Sequence, residues 1–440
     1  MRQLFGTDGI RAKAHQYPLD PATMFALGEA LAHRVNGATV LLGMDTRESG
    51  PEIARSLSAG LAQGGSTAIL VGVLPTPGIA YLCRTTDAAA AISISASHNP
   101  YEDNGVKIFG HDGMKVPDSV EEEIEDEMRA LRREEVTVPE TPLTENIELI
   151  EKYEAFLTQD APPNALKGKK VVLDTGHGAS YRIAPEVFRR AGAEVVVIND
   201  APNGTNINAN AGAMHPERLA QVVVEQQADY GVAFDGDADR AIFADDKGKI
   251  RDGDEIIYLW AKHLQRRGEL RGPCVVTTVM SNFGFEKQLQ ADGIELCRAQ
   301  VGDKYVLEQM IERDAVLGGE QSGHIIDRSV HTTGDGIHTA FVFGHILAEI
   351  GRPFSELHTF DPMPQLLLNE RVGSKPPLES LPKYQAAHAQ ALQQLDGRGR
   401  ILVRYSGTEN LVRVMVEGED DALIRRIAEE LRGVLKQEIG

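Results

Sequence analysis

Tyr230-Gly231-Val232-Ala233-Phe234-Asp235-Gly236-Asp237-Ala238-Asp239-Arg240 reads as a strand that runs straight into an acidic loop. The uncharged, β-prone run Tyr230–Phe234 suits a strand covered on both faces. Beyond it, Asp235, Asp237 and Asp239 stand at alternate positions, which an extended backbone points to one side. Three like charges held together need a cation, and hard oxygen ligands select Mg or Ca over Zn. An EF-hand does not fit. With Asp235 as its first position, the sixth residue is Arg240 instead of Gly and the twelfth is Asp246 instead of Glu. Arg240 is either a charge-balancing partner of the aspartates or a planar fork that reaches a phosphate.

Upstream lie two further short apolar runs, Val171–Leu173 and Val195–Ile198, separated by helical periodicity. The same strand–helix–strand–helix–strand order recurs on either side. Val40–Gly43, Ala68–Val71 and Ala91–Ile94 form one set; Cys274–Thr277, Ile294–Leu296 and Ala315–Leu317 form another. The expected fold class is α/β: three similar domains with mixed, mostly parallel sheets. A smaller C-terminal α+β domain follows, with strands at Ile401–Arg404 and Leu411–Val416 and a helix over 421–436. A charged helix over 121–135 and the Pro-containing segment 138–142 mark a first boundary; Asp361-Pro362-Met363-Pro364 marks a late one. The expected limits are 1–148, 149–251, 252–362 and 363–440.

Each third strand ends in a polar loop: Ser95–Pro100, Asp235–Arg240, and Gly318–His324. Ligands gather at the carboxyl ends of strands in open α/β sheets, so the three loops are expected to share one composite site. In the first loop, Ser97 needs activation or positioning to be a nucleophile. His98 is adjacent, and in an extended segment the two side chains would point apart, which argues against a Ser-His hydrolase. A phosphoryl carrier fits better, since a phosphoserine would offer oxygens to the cation that the aspartates hold. Asn104-Gly105 carries turn chemistry that would return Lys107 towards this loop, where it and Arg11 would supply positive charge or handle a proton. In the third loop, Glu320, Ser322 and His324 suit sugar hydroxyls or an amine. In the last domain, Ser406 and Thr408, the backbone around Gly407, and Arg413 on the next strand could form an anion nest; a structural ion pair is the other reading of Arg413.

Composition bounds the partners. The formal charge of the 440 residues is −20, which argues against broad nucleic-acid or anionic-membrane binding. The odd, dispersed Cys83, Cys274 and Cys297 imply neither a disulfide framework nor a zinc site. No signal-peptide core and no apolar run of about 20 residues is present, so the expectation is a cytoplasmic protein with no membrane partner.

Taken together, Ser97-His98-Asn99-Pro100, Asp235–Arg240, Gly319–His324 and Arg404-Tyr405-Ser406-Gly407-Thr408-Glu409 appear in the order of the four loops of the α-D-phosphohexomutase family. The chain resembles that family along nearly its whole length. Phe5–Arg11 and Gln321 are typical of its branch acting on glucosamine phosphate; glucose or mannose phosphate remains the alternative. Ala12, where Gly is usual, and Asn410, where Pro is common, depart from the pattern without removing a proposed ligand or catalytic side chain. The resemblance implies a heart-shaped four-domain molecule, a homodimer through the first domain, and one Mg2+ per subunit on Ser97, Asp235, Asp237 and Asp239. It implies that Ser97 is phosphorylated and passes its phosphoryl group to glucosamine 6-phosphate. Glucosamine 1,6-bisphosphate is then the intermediate and activator, and glucosamine 1-phosphate the product, feeding UDP-N-acetylglucosamine and cell-wall precursor synthesis. Lys107, Arg11 and His324 would serve catalysis. Arg240, Glu320, Ser322, Arg404, Ser406, Gly407, Thr408 and Arg413 would bind substrate.

Overall fold

A computed structural model describes residues 4–6, 8–139, 144–159, 162, 164–272, 274–406 and 410–440. They divide into two compact units, one of residues 1–278 and 297–358, the other of 279–296 and 359–440.

The first unit contains three sheets built on one plan. In the first, Ala68–Val73, Val40–Met44 and Ala90–Ile94 lie side by side in parallel, and Asp103–Gly110 adds antiparallel to the last of them. The hairpin Phe5–Gly6 and Gly9–Lys13 extends that edge. In the second, Glu194–Ile198, Lys170–Asp174 and Tyr230–Phe234 are parallel, with Ala241–Asp245 antiparallel beside them. In the third, the order is the Cys297–Ala299 end of strand Glu295–Ala299, then Cys274–Thr278, Leu317–Gly319 and Ile325–Asp327. Each sheet thus runs second, first, third strand, and the third is always followed by an antiparallel return. The three polar loops are the three links into those returns, which is why they occupy equivalent places.

Burial explains the strands. Val40–Met44, Ala90–Ile94, Tyr230–Phe234 and Cys274–Thr278 are buried at every position, as expected of strands covered by helices on both faces. The helix Pro21–Arg34 starts at Asp20, whose carboxylate accepts from Thr23 N–H, and it is buried from Ala22 to Ala32. Against the sequence reading, the charged helix spans Asp118–Leu131 and stops short of Glu135. Asn104-Gly105 makes no hairpin turn either; both residues lie inside the strand Asp103–Gly110. The turn falls earlier, where Asp103 N–H donates to the Pro100 carbonyl at 3.2 Å. Lys107, on the same strand, reaches the acidic loop, its Nζ 3.1 Å from Asp237 and 3.5 Å from Asp239. All three cysteines are buried and reduced, and burial pushes the Cys83 thiol up to about 12.

The second unit has a three-stranded antiparallel sheet in the order Gln365–Arg371, Leu411–Gly418, Gly399–Tyr405. Helix Asp421–Ile439 lays Ile424, Ile427, Ala428, Leu431 and Leu435 on it at helical spacing. Helix Phe283–Ala291 belongs to this unit: Asn282 exchanges hydrogen bonds with the Met363 backbone at 2.9 and 3.1 Å.

Candidate active site

Ser97 has a positive φ of 52°, a left-handed backbone that a serine adopts only where its surroundings enforce it. The enforcement comes from Arg47. Its guanidinium is fully buried, takes Asp45 Oδ2 at 2.8 Å on Nε, and spends its other nitrogens on the carbonyls of Ser97 and Asn99 (both 2.9 Å), Asp103 (2.9 Å) and Pro100. Asn208 donates to the same Ser97 and Asn99 carbonyls at 2.9 and 3.1 Å. Ser95 Oγ bonds Asp45 at 2.6 Å and receives Ser97 N–H at 2.9 Å. The loop is therefore fixed through its backbone, leaving the Ser97 hydroxyl for other work.

That hydroxyl donates to Asp235 Oδ2 at 2.6 Å. Carboxylate oxygens of Asp235, Asp237 and Asp239 lie within 4.8 Å of one another, all three side chains buried. The close approach depends on Gly236, where a Cβ would stand 2.5 Å from the Ser97 carbonyl oxygen. Thr76, the first residue of the helix Thr76–Thr85, supports the acidic loop, its Oγ1 donating to Asp237 Oδ2 at 2.7 Å and its N–H to the Asp237 carbonyl at 3.0 Å. Burial, with Asp239 and Asp237 beside it, drives the Asp235 pKa well above the ordinary carboxylate range. For Asp239 burial acts the same way but is outweighed by Lys107 and His324, which hold it well below. Asp237 Oδ1 and Asp239 Oδ1 are buried and find no hydrogen-bond partner among the described residues. Unpaired buried carboxylate oxygens are costly, so this donor set fits a hard divalent cation.

Lys107 Nζ is buried at 3.1 Å from Asp237, 3.5 Å from Asp239 and 3.2 Å from Asp8. Burial opposes its charge, but these carboxylates overcome it and hold the ammonium protonated. Arg11 reaches the Ala96 carbonyl at 3.3 Å and pairs with Asp8. Arg240 Nε lies 3.7 Å from Asp239 Oδ1, and burial against this acidic surround leaves its charge intact. His98 departs from the sequence reading. Because Ser97 is left-handed and not extended, the two side chains converge, with Nδ1 3.3 Å from Ser97 Oγ. Burial and then Arg240 and Arg11 lower the His98 pKa to about 4, so the ring is neutral.

A cavity of about 380 Å³ opens in front of this cluster, lined by Arg11, His98, Asp239, Arg240, Glu320 and His324 together with Asp8 and the segment Val301–Asp303. Glu320 Oε1 accepts Gly302 N–H at 3.1 Å, and Ser322 Oγ donates to Glu320 Oε2 at 3.3 Å. His324 Nδ1 faces Asp239 at 3.6 Å, while Nε2 accepts Gly334 N–H at 3.0 Å. The three loops of the first unit, with Lys107 and Arg11, are therefore brought together.

Arg404, Ser406 and Arg413 lie in the second unit. Arg404 and Arg413 stand directly opposite each other on adjacent antiparallel strands. Burial and then Arg413 lower the Arg404 pKa. Ser406 N–H donates to the Leu411 carbonyl at 2.8 Å, and Lys375 reaches the Ser406 carbonyl at 2.8 Å. Gly407 and Thr408 lie outside the described residues.

Sequence reasoning passed over Arg47, Asp45, Thr76, Asn208, Asp8 and Asp303. Asp45 and Arg47 directly follow the strand Val40–Met44, and that position at a strand's carboxyl end was the available signal. Asn208 carried none.

Family models match the chain in order. The phosphoglucomutase/phosphomannomutase alpha/beta/alpha domains I, II and III cover residues 2–135, 150–248 and 252–362, and the C-terminal domain covers 367–434. The phosphoglucosamine mutase of Solibacter usitatus is 46% identical over 444 residues, spanning 100% of this chain and 99% of that protein. That of Symbiobacterium thermophilum is 45% identical over 449 residues, spanning 100% of both. Among solved structures, a phosphoglucomutase/phosphomannomutase family protein from Burkholderia thailandensis superposes with a TM-score of 0.82 at 23% identity, over 99% of this chain and 97% of its own. N-acetylphosphoglucosamine mutase of Aspergillus fumigatus, solved with GlcNAc-6P and magnesium, gives 0.67 at 17% identity over 100% and 96%. These two share the fold. With all four domains matched and full-length relatives at this identity, the chain belongs to the phosphoglucomutase/phosphomannomutase family.

Proposed function

We propose that the chain is an isomerase that interconverts glucosamine 6-phosphate and glucosamine 1-phosphate, a step towards UDP-N-acetylglucosamine and cell-wall precursors. The observation that carries this reading is the 2.6 Å bond from Ser97 Oγ to Asp235, which sets a serine hydroxyl against three buried aspartates. Relatives 42–46% identical over their whole length bear the name phosphoglucosamine mutase.

In the proposed cycle, phospho-Ser97 donates its phosphoryl group to O1 of glucosamine 6-phosphate. The P–O bond to Ser97 breaks as the bond to the sugar oxygen forms, giving glucosamine 1,6-bisphosphate. After the sugar turns end for end, the 6-phosphoryl group returns to Ser97 Oγ and glucosamine 1-phosphate leaves. Asp235, Asp237, Asp239 and an oxygen of phospho-Ser97 would hold one Mg2+, which would offset charge on the transferring group. Lys107, Arg11 and Arg240 surround that group with fixed positive charge. Glu320 and Ser322 take sugar hydroxyls. Arg404, Ser406, Gly407, Thr408 and Arg413 clamp the phosphate not being transferred. Of the three candidates for the proton of the sugar hydroxyl, a guanidinium cannot give one up, and Lys107 is locked as a cation by three carboxylates. We assign the role to His324, whose ring must first release either the Gly334 N–H that Nε2 accepts or the Asp239 contact of Nδ1 to free a nitrogen for the proton. We place the domain limits at 1–148, 149–251, 252–362 and 363–440, supported by the spans the family models match. A cytoplasmic location fits the absence, among the described residues, of any helix long and apolar enough to cross a membrane. A dimer through the first domain is part of the same proposal.

The test is a substrate panel with Mg2+. Glucosamine 6-phosphate should be turned over at least about ten-fold more efficiently (kcat/KM) than glucose or mannose 6-phosphate, and Ser97→Ala should lose both turnover and the covalent phosphate seen by intact mass. A preference for glucose or mannose phosphate would move the chain to the phosphoglucomutase/phosphomannomutase reading. Full turnover by Ser97→Ala would end the carrier role.

A further inference from the structure

Along the cavity wall runs a chain of charges of which the reaction above uses only the last, Lys107. Lys115 is half-buried between two acids: its Nζ pairs with Asp8 and lies 2.6 Å from Asp303 Oδ2. Asp8 also faces Lys107 at 3.2 Å. The sequence Asp303–Lys115–Asp8–Lys107 therefore alternates acid and base from the helix Asp303–Glu312, in the region of the third sheet, to the ammonium beside Asp237. Asp303 is reached from the other side too, with His324 Nε2 at 3.8 Å.

The segment that presents Asp303 is built for its place. Gly302 has φ 131° and ψ 133°, a conformation essentially restricted to glycine. That backbone aims the Gly302 N–H at Glu320, the proposed sugar ligand, and starts the helix so that Asp303 meets Lys115. A partly buried ion chain is weak evidence for stability, because desolvation and screening offset most of the attraction. Its geometric effect is stronger. Removing one member takes from its neighbour one of the contacts that fix its position, and a side chain that shifts by about 1 Å at a reacting centre costs of order 100-fold in rate.

We propose that Asp303 and Lys115 are positioning residues for phosphoryl transfer: through Asp8 they hold the Lys107 ammonium where the transferring group develops charge. Neither residue touches the phosphoryl group. The proposal rests on the mutase reading above and deepens it, by making the wall of the sugar pocket part of the support for the transfer site.

The experiment measures kcat and KM of the full chain with whichever of glucosamine, glucose or mannose 6-phosphate the wild type turns over fastest. Wild-type turnover tests the reaction itself, and ratios to it test the chain, so the two failures are distinguishable. Lys115→Met and Asp303→Asn should each lower kcat about 10- to 100-fold while KM changes less than about three-fold. The double variant should lose no more than the worse single one, as expected for members of one unit. Lys115→Arg should recover most of the loss. Lys304→Ala is the control for mere tethering, because Lys304 ties the same helix to Asp118 without joining the chain; its kcat should stay at the wild-type value. Multiplicative losses in the double variant, an unchanged kcat in Asp303→Asn, or an equal loss in Lys304→Ala would overturn the proposal. If Lys115→Met fails to fold, the near-isosteric Asp303→Asn with Lys115→Arg decides the matter alone.

Discussion

Arg47 shows how much of a catalytic loop can depend on one side chain that touches no substrate. It holds four backbone carbonyls of the serine loop and its return strand, and without it each of those acceptors loses a charged donor. Burial already raises the pKa of Asp45 despite Arg47, so loss of the guanidinium would push that carboxyl up further. Arg47→Met should therefore cost about 3 kcal/mol in denaturant unfolding and abolish turnover, with Asp45→Asn unable to restore the loop. His331 supplies a second prediction at this scale. Its Nε2 lies 3.6 Å from Asp335 Oδ2, which resembles an ion pair. However, Asp335 is engaged by Tyr153 Oη at 2.8 Å and His338 N–H at 2.9 Å, and Thr332 N–H donates to His331 Nδ1, which suits a neutral ring. Burial, with His338 and Arg84 nearby, lowers its pKa to about 3. The unfolded chain takes up this proton below about pH 6.5 and the folded chain only near 3, so the His331 contribution is intact above 6.5 and is lost as pH falls through that window. Relative to His331→Phe, the wild type should lose roughly 2–3 kcal/mol of unfolding free energy between pH 6.5 and 4.5; parallel pH profiles would refute this.

At the scale of elements, the decisive arrangement is a strand, a polar link and an antiparallel return, used three times. The acidic link works only because Gly236 lets two loops touch. Gly236→Ala places a methyl group 2.5 Å from the Ser97 carbonyl, against backbone that Arg47 and Asn208 hold rigid. Overpacking of this kind costs about 1–3 kcal/mol, and the separation of Ser97 from Asp235 should lower kcat by about 100-fold. Calorimetry and kinetics on one variant measure both. A kcat within three-fold of wild type would mean the contact is not needed. The same plan explains what could be read from sequence. Tyr230–Phe234 was legible to the residue because a fully buried strand is uniformly apolar and its loop is chemically distinctive. Strand Asp103–Gly110 was not, since Asn104-Gly105 carries a turn signal that pairing on both sides overrides. Strand Gln365–Arg371 was missed because its burial alternates and its polar half resembles a loop. Arg47 and Asn208 were invisible for another reason. They act on backbone carbonyls remote in sequence, which no local pattern encodes.

On the scale of the whole molecule, opposite charge problems are solved in the two units. The first gathers three buried carboxylates, and the second sets two arginines opposite each other. Arg404 and Arg413 face each other across paired strands, an arrangement in which like charges repel. The depressed Arg404 pKa reports burial and that repulsion. In the proposed function, a sugar phosphate placed between them would offset that repulsion. Arg413→Ala separates the two explanations of this residue. If Arg413 serves the substrate, its removal relieves repulsion, so Tm should stay level or rise. Loss of a charged hydrogen bond of about 1.5–3 kcal/mol should meanwhile raise KM about 10- to 100-fold. Phosphate on Ser97, read by intact mass, should persist, because the carrier and its aspartates lie in the first unit and keep their own contacts. A lowered Tm with an unchanged KM would instead make Arg413 a structural ion-pair partner and leave Arg404 as the cation of the phosphate clamp.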